Sequence, residues 1–257
     1  MIYVIFIVFT FFILWFAFYQ WQYFMIFSPT FVKERRLCEH CEYLSIVSDD
    51  GVELEGVVYE PSNPVATLLV FVGRSHDAVA LMGKLSQSYR KVRLVTFNYR
   101  GYGKSKGSVN EKNILSDGVK ITQLVQKHYG KCSLLGFSLG SNIAAYVASK
   151  EAVEALFLVG AFDSITSLSK EKFPKLCCIE KLIRYKFPTN IYVQKVTAPT
   201  YLFVSRDDET ISLKHAKNLQ KNIKNLVRYV ELSGLNHKEL LWDKRVVNTI
   251  NGVLCER

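Results

Sequence analysis

The sequence predicts an α/β fold: a mostly parallel central sheet flanked by helices, opened by an antiparallel hairpin, carrying a short cap insertion and preceded by an N-terminal transmembrane helix. Three observations predict it. Short, continuous apolar runs recur along the chain, as strands buried on both faces require. Segments with helical spacing separate those runs, which is the alternation expected of parallel strands joined by crossover helices. Finally, residues 1–32 contain no Asp, Glu, Lys or Arg.

The opening stretch, MIYVIFIVFTFFILWFAFYQWQYFMIF, is longer as a helix, at about 1.5 Å per residue, than a hydrocarbon core of roughly 30 Å. It reads as a span in the lipid bilayer over residues 1–28, followed by a juxtamembrane connector over 29–42. It has no basic start and no small-residue cleavage site, so a retained anchor is expected rather than a cleaved signal peptide. The first charges, KERR at 33–36, put the large domain on the cytoplasmic face by the positive-inside rule. The whole formal balance of +10, from 33 basic and 23 acidic residues, lies beyond residue 32. A basic domain held near anionic headgroups gains about 1 kcal/mol per well-placed cation. Nucleic acid is not expected as a partner, because no aromatic-and-basic recognition motif accompanies the charge. The composition does not bear on oligomeric state.

Six cysteines are present. Cys38 and Cys41 form CEHC, which has the spacing of half a zinc site or could serve as a lipidation point beside the membrane. No second CxxC follows. Cys177 and Cys178 are adjacent, and Cys132 and Cys255 stand alone, so neither a metal site nor a disulfide framework is expected. Unpaired thiols in a reducing compartment are.

Within residues 43–257 the elements follow in order. YLSIVS and VELEGVVYE form strands joined by the turn signal DDG. Apolar runs at 66–72, 92–98, 132–137, 155–160, 200–205 and 227–232 give six further strands. Helical patterns at 78–90, 111–128, 139–150, 213–223 and 238–254 lie between or after them. Residues 164–196 are longer than a simple crossover requires and read as a cap over the carboxyl edge of the sheet, where open parallel sheets bind ligands.

Chemistry centres on GFSLG, residues 136–140. Ser138 follows a buried strand and precedes a helix, the setting of a Gly-x-Ser-x-Gly turn that holds a nucleophilic serine exposed. The bland reading is a serine that merely caps the helix. A nucleophile needs a base, and His237, in the loop before the last helix, lies at the correct sheet edge. His76, after the third strand, is its rival; His128 and His215 fall on helical patterns and are expected to face solvent. For the orienting acid, Asp208 is preferred over Asp207, with Asp163 in reserve. The backbone amides of Leu139 and Arg74 are the candidate oxyanion donors, with Ser75 close by. NYRGYGKS ends like a phosphate loop, but Asn98 stands where that pattern needs glycine, and nucleotide binding is rejected. The set requires no metal or organic cofactor.

With Ser138, Asp208 and His237 in that chain order, and with NYRGYGKSKGS and GFSLGSN, residues 43–254 resemble the alpha/beta-hydrolase superfamily, and within it the membrane-anchored BEM46-like group. The resemblance implies cleavage of carboxylic esters or thioesters, with lipid or fatty-acyl substrates favoured. A peptidase of the same fold and a catalytically silent membrane adaptor are the alternatives. Two departures stand out. Val72-Gly73-Arg74 replaces the usual His-Gly-Asn, and Asn98 replaces an Asp before the Tyr-Arg-Gly turn; the second is expected to touch packing more than chemistry.

Overall fold

The computed structural model describes residues 2–175 and 179–256; Cys177 and Cys178 lie outside the described residues. Helix α1 (Ile2–Ile26) comes first. The sheet then begins with β1 (Cys41–Val47), β2 (Glu53–Tyr59) and β3 (Thr67–Phe71), followed by helix α2 (Ala78–Ser88) and β4 (Arg93–Phe97). Next come α3 (Glu111–Tyr129), β5 (Ser133–Phe137), α4 (Leu139–Ala148) and β6 (Leu156–Val159). The insertion carries α5 (Ile165–Lys172), α6 (Ile179–Leu182) and α7 (Thr189–Tyr192). The chain closes with β7 (Thr200–Ser205), α8 (Leu213–Gln220), β8 (Leu226–Leu232), α9 (His237–Leu240) and α10 (Lys244–Cys255).

The eight strands form one sheet in the order β1-β2-β4-β3-β5-β6-β7-β8. The pairs β1·β2 and β2·β4 are antiparallel, and every later pair is parallel. The middle strands β3, β5, β6 and β7 are buried along their whole length, which is why their sequences are apolar without alternation. Parallel strands share one carboxyl edge, so the loops after β3, β5, β6 and β7 all emerge on the same side. That is the edge where Gly73–His76, Ser138, Asp163 and Asp208 stand.

The final helical segment differs from the single helix expected over 238–254. It breaks at Asp243, whose side chain accepts a hydrogen bond from the Arg245 amide and so starts a new helix. The cysteine reading is also corrected. Cys38 and Cys41 are joined by a disulfide, their Cα atoms 5.2 Å apart across the turn at His40, a span that suits the bond. A CxxC spacing leaves open whether the intervening turn closes, so the sequence could not distinguish bonded from free thiols. Cys132 is a buried free thiol and Cys255 an exposed one. His215 departs from expectation as well: it is 1% exposed rather than facing solvent, whereas His128 is exposed.

The substitution of Asn98 for Asp has a clear physical role. Its side-chain oxygen accepts from the Ala78 amide at 2.7 Å, and its Nδ2 donates to Glu55 and to Asp77, each at 3.0 Å. One neutral amide therefore joins the end of β4 to the start of α2 and to β2, between two carboxylates. Gly103 passes close by with φ +53°, and a Cβ there would meet Asn98 and Glu55. Asn98→Asp would set a third carboxylate among the first two and remove both donated bonds. The variant is expected to lose roughly 1–3 kcal/mol of stability in urea unfolding at neutral pH and to recover part of it in acid. A variant as stable as wild type at neutral pH would contradict this account.

Candidate active site

Strand β5 ends at Phe137 and α4 begins at Leu139, so Ser138 alone makes the turn between them, with φ +52° and ψ −118°. Non-glycine residues reach such angles only when the surroundings hold them there. Here the Ser138 amide donates to the Val159 carbonyl at 2.9 Å, and its carbonyl accepts from the Ser141 amide at 2.9 Å. The flanking glycines make the turn possible. A Cβ on Gly136 would come within 2.5 Å of the Ser141 Cα, and one on Gly140 would strike the backbone of Phe71. Ser138 forms no side-chain cap on α4, which contradicts the capping reading. Its Oγ instead lies 2.9 Å from His237 Nε2.

His237 is the first residue of α9, held by a capping box in which Asn236 and Glu239 exchange hydrogen bonds. Its own amide donates to Glu209 at 3.1 Å. The ring rests against Phe137, with centroids 5.1 Å apart, and against Gly160, where a Cβ would sit 3.0 Å from His237 Cε1. The second ring nitrogen, Nδ1, is 2.6 Å from Asp208 Oδ2. The other oxygen of Asp208 accepts from the amides of Thr210 and Ile211, both at 2.8 Å. Asp208 thus both shapes its loop and faces the imidazole. Asp207 turns away and accepts from the Gly234 amide at 2.6 Å.

The reserve acid, Asp163, belongs to a different pair. Its carboxylate lies 2.8 Å from His215 Nδ1, and the other side of that ring faces Glu171 of α5 at 2.9 Å. Burial, the largest single influence, pushes the Asp163 carboxyl up, but its bond and charge pairing with His215 and hydrogen bonds from Ser167 and Ser164 together hold it below its ordinary value. Asp163 and His215 therefore tie the insertion to the sheet.

Leu139 and Arg74 line the same cavity as Ser138, together with Ser75. The amide of Leu139 opens α4 and has no partner within that helix. The Arg74 loop is fixed from outside: the Tyr102 hydroxyl donates to the Arg74 carbonyl at 2.7 Å, and the Tyr99 hydroxyl to the Val72 carbonyl at 2.7 Å. The Arg74 guanidinium donates to the Met25 carbonyl at the end of α1.

His76 lines the cavity too, with its ring 5.7 Å from that of Phe137 and its Nδ1 buried without a hydrogen-bond partner among the described residues. The cavity has a volume of about 400 Å³, within the usual range for small-molecule sites. Sequence reasoning missed two contributors: Glu209, which holds the His237 backbone, and α1, which supplies a wall of the cavity. For α1 one signal existed, since Gln20 and Gln22 are polar residues near the end of an otherwise apolar run.

The architecture is the alpha/beta hydrolase fold, and comparison with known proteins finds the same fold. A family model of the alpha/beta hydrolase fold matches residues 73–176. The chain is 28% identical to the alpha/beta hydrolase domain-containing protein aho-3 of Caenorhabditis elegans, over 56% of this chain and 43% of that one. It is 24% identical to mouse alpha/beta hydrolase domain-containing protein 17C, over 57% of this chain and 46% of that one. The alignments span less than half the length of these relatives. A Saccharomyces cerevisiae membrane protein is 29% identical over 52% of this chain and 50% of its own. Among solved structures, a Pyrococcus furiosus esterase superposes with a TM-score of 0.70 at 14% identity, covering 88% of this chain and 98% of that one. The chain therefore shares the alpha/beta hydrolase fold with these proteins.

Burial lowers the pKa of His76, assisted by the nearby positive charge of Lys238. A histidine held neutral in the fold is protonated first in the unfolded chain. Stability is therefore lost as pH falls below the ordinary imidazole value of 6.5, until the folded ring also protonates. Denaturant unfolding at about pH 8 and about pH 5 should show a smaller acid loss for His76→Phe than for wild type. Equal losses would contradict this.

Proposed function

We propose that the protein is a membrane-anchored serine hydrolase that cleaves carboxylic esters or thioesters, with lipid or fatty-acyl substrates. The observation that carries this reading is the continuous chain from Ser138 Oγ to His237 Nε2 at 2.9 Å and from His237 Nδ1 to Asp208 Oδ2 at 2.6 Å. In the reaction, Ser138 attacks the acyl carbonyl while His237 Nε2 takes its proton. Asp208 keeps the imidazole in the required tautomer and stabilises its protonated form. The amides of Leu139 and Arg74 receive the negative charge on the carbonyl oxygen, each such donor supplying about a hundredfold or more. His237 then returns the proton to the leaving alcohol or thiol. Water, activated by the same ring, releases the acyl group from Ser138.

The membrane part of the reading rests on α1, which is long and apolar enough to cross a bilayer. Its side chains from Tyr3 to Phe9 and from Phe11 to Phe16 are exposed. The run of charge at Lys33–Arg36 favours a cytoplasmic domain, where the Cys38–Cys41 bond would meet cellular reductants.

Purified full-length protein should hydrolyse acyl esters or thioesters in preference to amino-acid amides. Ser138→Ala should lower kcat to near background, and Asp208→Asn should lower it by roughly 10⁴-fold with the fold intact. Undiminished turnover by folded Ser138→Ala would refute the assignment, and a preference for amides would indicate a peptidase.

A further inference from the structure

We infer that the anchor helix is itself part of the substrate site: the acyl chain of a bilayer-resident ester lies along α1 while its carbonyl reaches Ser138. This rests on the hydrolase reading above and adds where the chain goes. The cavity that holds Ser138 and His237 is closed on one side by Phe18, Trp21, Met25 and Ile26 of α1. Apolar side chains of the insertion line the same cavity, among them Leu168 and Phe173, and the Phe173 ring meets that of Trp21 edge-on with centroids 6.1 Å apart.

This wall does not drift, because the end of α1 is fastened to the domain. Gln22 donates to the Leu182 carbonyl at 3.1 Å and accepts from the Arg184 amide at 2.8 Å. Arg74 holds the Met25 carbonyl, and the Ser28 amide donates to the Tyr102 hydroxyl at 2.9 Å. Phe27 is fully buried against Tyr185 and Phe187. The residue that binds α1 to the candidate oxyanion loop, Arg74, is the one that replaces the family's asparagine.

The wall also continues into the membrane. Leu14, Phe18, Trp21 and Met25 recur at helical spacing and form one stripe. Trp21 is 43% exposed and Leu14 64% exposed, so the stripe leaves the cavity as uncovered apolar surface. The 25 residues of α1 measure about 37 Å against a hydrocarbon core of roughly 30 Å. The last turns therefore emerge at headgroup depth, where Tyr19, Trp21 and Tyr23 suit the interface. A long acyl chain leaving Ser138 meets this stripe without crossing water. A short soluble ester buries little of it.

The test uses full-length protein in phosphatidylcholine vesicles with para-nitrophenyl palmitate in the bilayer and para-nitrophenyl butyrate in the buffer. Trp21→Ala, which removes the wall, and Met25→Trp, which fills the cavity beside it, should each lower the ratio of long-chain to short-chain kcat/KM by about tenfold or more. An unchanged ratio in both variants overturns the inference. As a second measurement, a fluorophosphonate with a palmitoyl-length chain and a diazirine near its end is bound to wild type and photolysed. Crosslinks within residues 14–25 are expected, and crosslinks confined to the loops at the sheet edge overturn the inference. Loss of the probe's attachment to Ser138 would instead refute the hydrolase reading, and the inference with it.

Discussion

The turn at Ser138 is the constraint on which the rest of the structure depends. A residue with a side chain is kept at φ +52° between a buried strand and a buried helix, a conformation that costs on the order of 1–3 kcal/mol. The cost is offset because α4 packs directly onto β3, β5 and β6, and only glycines at 136 and 140 permit so close an approach. Were α4 to move outward by the width of a methyl group, the hydroxyl would no longer point along the sheet edge toward the imidazole. The helix and the three strands that clasp it thus set the direction of one oxygen atom.

The other parts of the site are registered to that atom by the parallel sheet. Because β6, β7 and β8 run alongside β5 in order, the loops that follow them fan out along one rim. Gly160 leaves room for the His237 ring, Asp208 closes its own loop with one oxygen and faces the ring with the other, and Glu209 holds the backbone of His237. Each contact both shapes a loop and aims a side chain, which keeps the geometry from depending on any single surface interaction. The Asp163–His215–Glu171 cluster does similar work for the insertion and keeps Asp163 occupied elsewhere.

Much of this was legible in the residues alone. The buried strands declare themselves as unbroken apolar runs because both faces are covered, and the elbow is readable because a serine between two glycines at a strand end has few other uses. Adjacent aspartates in a loop diverge, which separates Asp207 from Asp208. What could not be read depends on contacts between distant segments. His215 lies on a helical pattern with polar neighbours, and nothing local indicates that Asp163 and Glu171 enclose it. The CEHC spacing is compatible with open and closed turns. A run of apolar residues that satisfies a bilayer looks the same whether its last turns are free or fastened to the edge of the sheet, and near its end Gln20 and Gln22 interrupt it. Asn98 is informative in the other direction: its place in the sequence marked a departure, and its two carboxylate neighbours explain why a neutral side chain is needed there.

The central claim is that one serine, aimed by its turn and activated by its histidine, reacts with acyl-type electrophiles. Peptide mass mapping after treatment of the intact protein with a small organophosphonate tests it most directly. The account predicts a single adduct, on Ser138. Folded protein that stays unmodified, or that carries its adduct on another residue, would contradict it.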